Sequence, residues 1–95
     1  MNRLVLSASL VEMARPRYTP AGIPAVDVQL AHESEQEEGG QVRKVVLQLR
    51  AIAFGTLAER LMRQPLGVSL HAQGFLTNTR NGKGVVFHIQ DFKPI

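Results

Sequence analysis

Six basic side chains, Arg17, Arg43, Lys44, Arg50, Arg80 and Lys83, fall at turns, at strand ends or along one strand of this 95-residue sequence. Guanidinium and ammonium groups spread in this way can hold a run of phosphates, because each contact releases counterions condensed on a polyanion. The charge balance points the same way. The net charge is only +3, from 11 basic and 8 acidic groups. Four of the carboxylates, Glu33, Glu35, Glu37 and Glu38, sit in one short stretch, so the rest of the chain is much more basic than its net charge. The bland alternative for each cation is solvated surface charge. The second half of single-strand recognition, aromatic stacking, is thinly supplied. There is no tryptophan, one tyrosine and four phenylalanines. Phe54 shares strand parity with Lys44 and Arg50, and burial at the entry of a helix is its plain reading. Tyr18 is expected to pack on the Pro20–Pro24 turn, and Phe75, Phe87 and Phe92 are expected in the core.

Other chemistries lack their residues. Ser69-x-His71 and the three histidines make no nucleophile–base pattern. Nor is there a Gly-x-Ser-x-Gly elbow, a phosphate-binding glycine loop or a pair of carboxylates on flanking strands. No catalytic residue is assigned. His32 beside the acidic stretch could hint at a metal, but hard cations need several converging oxygens and the spacing fits no known ligand set. Neither a metal nor a cofactor is expected. The acidic stretch reads as a loop ending at Gly39-Gly40: solvated, or repelling DNA from one edge, or meeting basic patches on a protein partner. The absence of cysteine excludes disulfides and thiolate metal sites and suits a reducing compartment. No apolar run approaches the ~20 residues of a membrane span, and the first ten residues lack the order of a signal peptide. The expectation is a soluble, cytoplasmic protein.

The elements that must position these groups follow from hydrophobic period. Leu4, Leu6, Ala8 and Leu10 alternate with Ser7 and Ser9, a half-buried strand. Three prolines and Gly22 make Arg15–Pro24 a turn or loop. Val26, Val28 and Leu30 alternate with Asp27 and Gln29 in a second strand. A third runs from Val42 to about Phe54, with Val45, Leu47, Leu49 and Ala51 turned inward and Lys44, Gln48 and Arg50 on the other face. Leu57, Ala58, Leu61 and Met62 then change to helical spacing, with Thr56 as N-cap, Glu59 three residues on, and Pro65-Leu66-Gly67 as the stop. Val68, Leu70 and Ala72 start a fourth strand, Asn81-Gly82 signals a hairpin, and Val85, Phe87 and Ile89 mark the fifth. One all-β domain spanning 1–95 is predicted: a five-stranded OB-fold barrel with one short helix between strands three and four, an architecture that commonly holds oligonucleotides.

A family resemblance runs through the same residues. Asn2-Arg3-Leu4-Val5-Leu6-Ser7, Arg17-Tyr18-Thr19-Pro20-Ala21-Gly22-Ile23-Pro24, His32-Glu33-Ser34, Gln36-Glu37-Glu38, Gly55, Gly67, Gln73-Gly74-Phe75 and Asn81-Gly82 resemble, in order and spacing, the primosomal replication protein N (PriB) family. More distantly, the Arg-Tyr-x-Pro-x-Gly turn and Phe54-Gly55-Thr56-Leu57-Ala58-Glu59 are similar to bacterial single-stranded DNA-binding proteins. The resemblance implies a homodimeric, nucleoid-associated protein that binds single-stranded DNA. It also implies a role in replication restart, assembling a PriA-type helicase and a DnaT-type loader. It places basic groups at Arg17, Arg43, Arg80 and Lys83, with Lys44 and Arg50 nearby, and a base-stacking ring at Phe54. It departs at Val46, where a tryptophan is common, at Gln41, where an aromatic occurs, and at Glu33, where a basic residue occurs. Pairing of Leu4, Val5, Leu6 and Ser7 across a two-fold axis is the expected dimer contact, since an open alternating edge would otherwise invite aggregation. The sequence given ends at Ile95, directly after the last strand, so recruitment by a long acidic tail is not expected. A general single-strand coating protein, a protein-interaction scaffold with weak or no DNA binding, and a cold-shock-like RNA binder are the alternatives.

Overall fold

The computed structural model describes all residues from Met1 to Ile95. Six strands and one helix follow one another: β1 (Leu4–Met13), β2 (Arg17–Tyr18), β3 (Pro24–Glu38), β4 (Gln41–Phe54), α1 (Thr56–Met62), β5 (Ser69–Asn78) and β6 (Val85–Pro94). Their order in the sheet is β1-β5-β6-β4-β3-β2, and a further pairing of β1 with β3 closes the sheet on itself. All pairings are antiparallel except β4 with β6. Closure removes most of the edges that make an open sheet liable to aggregate. This is the expected OB-type barrel, with one two-residue strand added. Arg17 and Tyr18 pair with Ala25 and Pro24 at the root of β3, so the proline-rich segment is a short hairpin rather than loop throughout.

Inward positions of the strands meet in one core, in which Leu10, Val26, Leu30, Leu70 and Phe87 are essentially inaccessible. Alternation explains why: Leu4, Leu6, Ala8 and Leu10 turn inward while Val5 and Ser7 stay exposed. The helix packs on β3 and β4 and buries Ala58 and Leu61. Its cap differs from expectation. Gly55, at φ 70°, occupies the N-cap position and Thr56 is the first helical residue, with no side-chain capping bond. The chain must turn from β4 into α1 within one residue, and a left-handed φ there suits glycine.

The largest departure concerns Glu33–Glu38. These residues are not a loop. They continue β3, and each faces a partner on β4, from Glu33 opposite Val46 to Glu38 opposite Gln41. Gly39 and Gly40, at φ 61° and 80°, supply the two positive φ values of a tight two-residue hairpin. Beyond His32, β3 and β4 pair only with each other and project from the barrel as a two-stranded ribbon. The molecule is accordingly elongated, 50 × 30 × 21 Å. Outside the barrel there is no interior to face, so Leu47 is exposed and Val45 only half-buried, against the inward placing their parity predicts.

Candidate nucleic-acid interface

Cross-strand register sorts the candidate residues by face, because directly opposed residues share one side of an antiparallel pair. On the outer side of β3 and β4 the opposed pairs are Ala25–Phe54, Asp27–Ile52, Gln29–Arg50, Glu33–Val46 and Glu35–Lys44. Arg17 opposes Ala25 and so extends the same face by one strand. Arg17, Lys44, Arg50 and Phe54 therefore stand on one continuous surface. Arg43 opposes Gln36 and stands on the other face of the ribbon. Arg80 and Lys83 lie in the loop from Thr79 to Gly84, where Asn81 Oδ1 accepts from Lys83 N at 3.0 Å and from Thr79 Oγ1 at 2.7 Å. Since Ala51 is level with Phe87, Val85 at the start of β6 is level with Leu49. The loop consequently leaves the barrel alongside the β3–β4 ribbon.

Three of the six cations already have carboxylate partners. Arg17 donates to Asp27 through Nε at 3.0 Å and Nη2 at 3.3 Å. Arg43 Nη1 donates to Glu38 Oε1 at 2.9 Å, and Lys44 Nζ lies 3.8 Å from Glu33 Oε1. All three pairs are substantially exposed, so each contributes only ~0–1 kcal/mol to the fold. Arg50, Arg80 and Lys83 have no ion-pair partner within the chain.

The aromatic side of the surface is more developed than the sequence suggested. Phe54 is 40% exposed on the outer face, not buried at the helix entry. Its ring centroid lies 5.9 Å from that of His88, with the planes 30° apart. His88 in turn stacks on Phe75, at 4.8 Å and 19°. Phe87 and Phe92 are core residues as expected, but Phe75 is not: it is half-buried and opposes His88 on the outer side. A parity signal was present, since Leu70, Ala72 and Gly74 turn inward and Phe75 follows His71 and Gln73. Tyr18 opposes Pro24 yet remains 73% exposed, so it packs little against the turn.

The proposed dimer contact has a mixed setting. β1 is paired with β5 from Leu4 to Ser9 and with β3 from Ser9 to Met13. It is thus a free edge only on the other side of Leu4–Ala8, where the Ser7 carbonyl accepts from His32 Nδ1 at 2.6 Å. Beside that edge a groove of about 460 Å³ is bounded by Ser7, Val11, His32, Val46, Leu47 and Ile95. No set of three or more His, Cys, Asp or Glu side chains is placed to hold a metal ion. No helix is long and apolar enough to cross a membrane.

With this geometry in view, comparison with known proteins is informative. The model of a family described as "Another single-strand binding protein family" matches residues 2–91. Replication restart protein PriB of Bordetella pertussis (strain Tohama I) is 44% identical over 96 aligned residues, covering 100% of this chain and 90% of that protein. The solved structure of PriB from Ralstonia solanacearum superposes with a TM-score of 0.90 at 38% identity, covering 99% of this chain and 97% of the other. Single-stranded DNA binding protein from Thermus aquaticus gives a TM-score of 0.76 at 28% identity, with all of this chain matching 50% of that one. Matched from Asn2 to Asp91, then, the chain belongs to this single-strand binding protein family, alongside proteins named replication restart protein PriB.

Proposed function

We propose that this chain is a non-catalytic accessory protein of replication restart, which holds single-stranded DNA on the outer face of its barrel. The observation carrying this reading is the full-length likeness to proteins named replication restart protein PriB. The site supports it physically. Arg17, Lys44, Arg50 and Phe54 share one face, and Arg80 and Lys83 hang beside it on a loop. Cations of this kind supply sequence-independent affinity, and aromatic rings on the same surface accept bases of any identity. Two further parts belong to the proposal. Two copies join along the free side of β1 at Leu4, Val5, Leu6 and Ser7. A surface away from the DNA engages a PriA-type helicase and a DnaT-type loader, in the cytoplasm at the nucleoid.

A titration of labelled oligo-dT, oligo-rU and duplex at low salt tests the central claim. Preference for oligo-dT over duplex is expected. Absence of binding to all three refutes it and leaves the second reading, a protein-interaction scaffold. That second reading draws on a specific observation: half of the candidate cations are already engaged by carboxylates. For the dimer, sedimentation at micromolar concentration is decisive, and a monomer there excludes the β1 contact.

A further inference from the structure

The free edge of β1 is not uniformly open. Successive residues of a strand turn their backbone groups to opposite sides. Leu10 gives its N–H to the Val68 carbonyl and accepts from Gly67 N, so the even-numbered residues of β1 serve β5. The odd-numbered ones face the other way: Ser9 meets Ala31 on β3, while Val5 and Ser7 turn to the open edge. The β1–β3 ladder ends at Ser9–Ala31, where one more rung would have set Glu33 on Ser7. A side chain stands in place of that rung. His32 Nδ1 donates to the Ser7 carbonyl at 2.6 Å, and since a carbonyl oxygen only accepts, the ring hydrogen is on Nδ1. Nε2 lies 2.8 Å from Ser34 Oγ, which also accepts from Gln36 Nε2 at 3.2 Å. The half-buried imidazole is thus held at both nitrogens where the ribbon leaves the barrel, and it takes one acceptor from the edge.

The missing acceptor restricts how a second copy can pair there. A two-fold axis at Leu6 would use the strand from Leu4 to Ala8 in full, with Val5 opposite Ser7 of the second copy; half of the bonds exchanged would end on Ser7 carbonyls. An axis at Ser7 needs the same carbonyls, and also Ser9, which β3 already holds. An axis at Leu4 leaves little of the strand to pair, because β1 begins at that residue. An axis at Val5 sets Val5 opposite itself, and the bonds at its centre use no group that His32 holds. It also covers the 47% exposed Val5 side chain with its own copy, an apolar cross-strand pair. We infer that His32 is a positioning residue for self-association: by holding the Ser7 carbonyl it sets the two-fold axis at Val5. This rests on the two-copy reading above and supplies its register. With His32 gone, the axis at Leu6 competes.

The chain has no cysteine, so single cysteines report the register without interference. With the axis at Val5, position 5 opposes itself at about 5.5 Å between Cα atoms, inside the ~4.4–6.8 Å that a disulfide spans. With the axis at Leu6, the two copies of position 5 are diagonal neighbours ~7–8 Å apart, and position 5 opposes position 7 instead. Under mild oxidation Val5→Cys is expected to link to itself, and a mixture of Val5→Cys with Ser7→Cys to form no link between positions 5 and 7. Adding His32→Ala to both makes the 5-to-7 link appear and the self-link at position 5 fall. His32→Asn, whose side-chain amide donates near the place of Nδ1, restores the first pattern. Circular dichroism melts verify folding, with His32→Val replacing His32→Ala if the latter does not fold. A 5-to-7 link formed while His32 is present, or a pattern that His32→Ala leaves unaltered, overturns the register but not the dimer. A His32→Ala protein that is folded yet sediments as a monomer also overturns it, since His32 would then be needed for pairing itself. A monomeric unmodified protein removes both the register and the two-copy reading it rests on.

Discussion

Substituting Glu33 by Gln removes the carboxylate that sits 3.8 Å from Lys44 Nζ, and Asp27→Asn removes the partner of Arg17. Both released cations lie on the outer face with Arg50 and Phe54. Glu38→Gln releases Arg43, which lies on the opposite face of the ribbon. The three substitutions change net charge identically, so only position separates their effects. For single strands, log K falls with log salt by ~0.7 per neutralised phosphate. With Arg50, Arg80 and Lys83 as the free cations, one protomer gives a slope of about −2. Glu33→Gln or Asp27→Asn each steepens it to nearly −3 and raises affinity in 0.1 M salt about fivefold, the value of one further phosphate contact. Glu38→Gln leaves slope and affinity as they were. The ion pairs being exposed, their loss costs the fold ~0–1 kcal/mol, and melting temperature barely moves. Fluorescence anisotropy of labelled oligo-dT across a salt series measures all of this. If Glu38→Gln steepens the slope as much as Glu33→Gln, binding follows net charge and the assignment to one face is wrong. If none of the three alters it, the DNA path lies elsewhere.

Three other outcomes follow from packing and exposure. Gly74→Ala forces a Cβ to within 1.8 Å of the His88 carbonyl oxygen, a backbone atom with no freedom to yield; a loss of ~3 kcal/mol or more and a fall of at least ~12 °C in melting temperature are expected. Gly84→Ala is its control, because the nearest atom there is 3.8 Å away, and a drop as large as that of Gly74→Ala would contradict the close approach. Leu61→Ala empties a fully buried position on α1 and lowers stability by ~2–5 kcal/mol in denaturant titrations; a change under ~0.5 kcal/mol would mean α1 does not pack on the barrel core. Val46→Trp places a large ring on a 64% exposed site of the outer face, raising oligo-dT affinity roughly 5- to 150-fold without a change in melting temperature. Unchanged affinity would show that the strand does not reach the ribbon.

Where both faces of a strand meet different surroundings, alternation made the structure legible. β1, β5 and β6 have a core on one side and water on the other, and Leu10, Leu70 and Phe87 fell where their period placed them. The β3 half of the ribbon was illegible for the converse reason. With water on both faces nothing rewards alternation, so six residues rich in carboxylates looked like a loop although they are bonded in register to β4. Thr56 has the side chain of an N-cap, but the sharp exit from β4 needed the left-handed conformation at Gly55. Type outweighed parity at Phe75: a phenylalanine reads as core by composition, and only its phase relative to Leu70 and Ala72 reveals the outer face. The row of rings was illegible as well, because strand order brings Phe54 and Phe75 to His88 from either side. The six cations were named for their type, their places at turns and strand ends and the family resemblance, none of which tells which of them a carboxylate already engages.

The ribbon also divides the molecule by the rate at which its backbone opens. Two strands without a third neighbour are marginally stable, whereas the barrel strands separate only when the core comes apart. Amide protons from Glu33 to Val46 should therefore exchange with deuterium by local fraying, while those of Leu30, Leu70 and Phe87 wait for global unfolding. Anything that clamps the ribbon, whether a second copy at β1 or another protein, will slow exchange there first. The pattern of that slowing would map the clamp's footprint on the ribbon directly in solution.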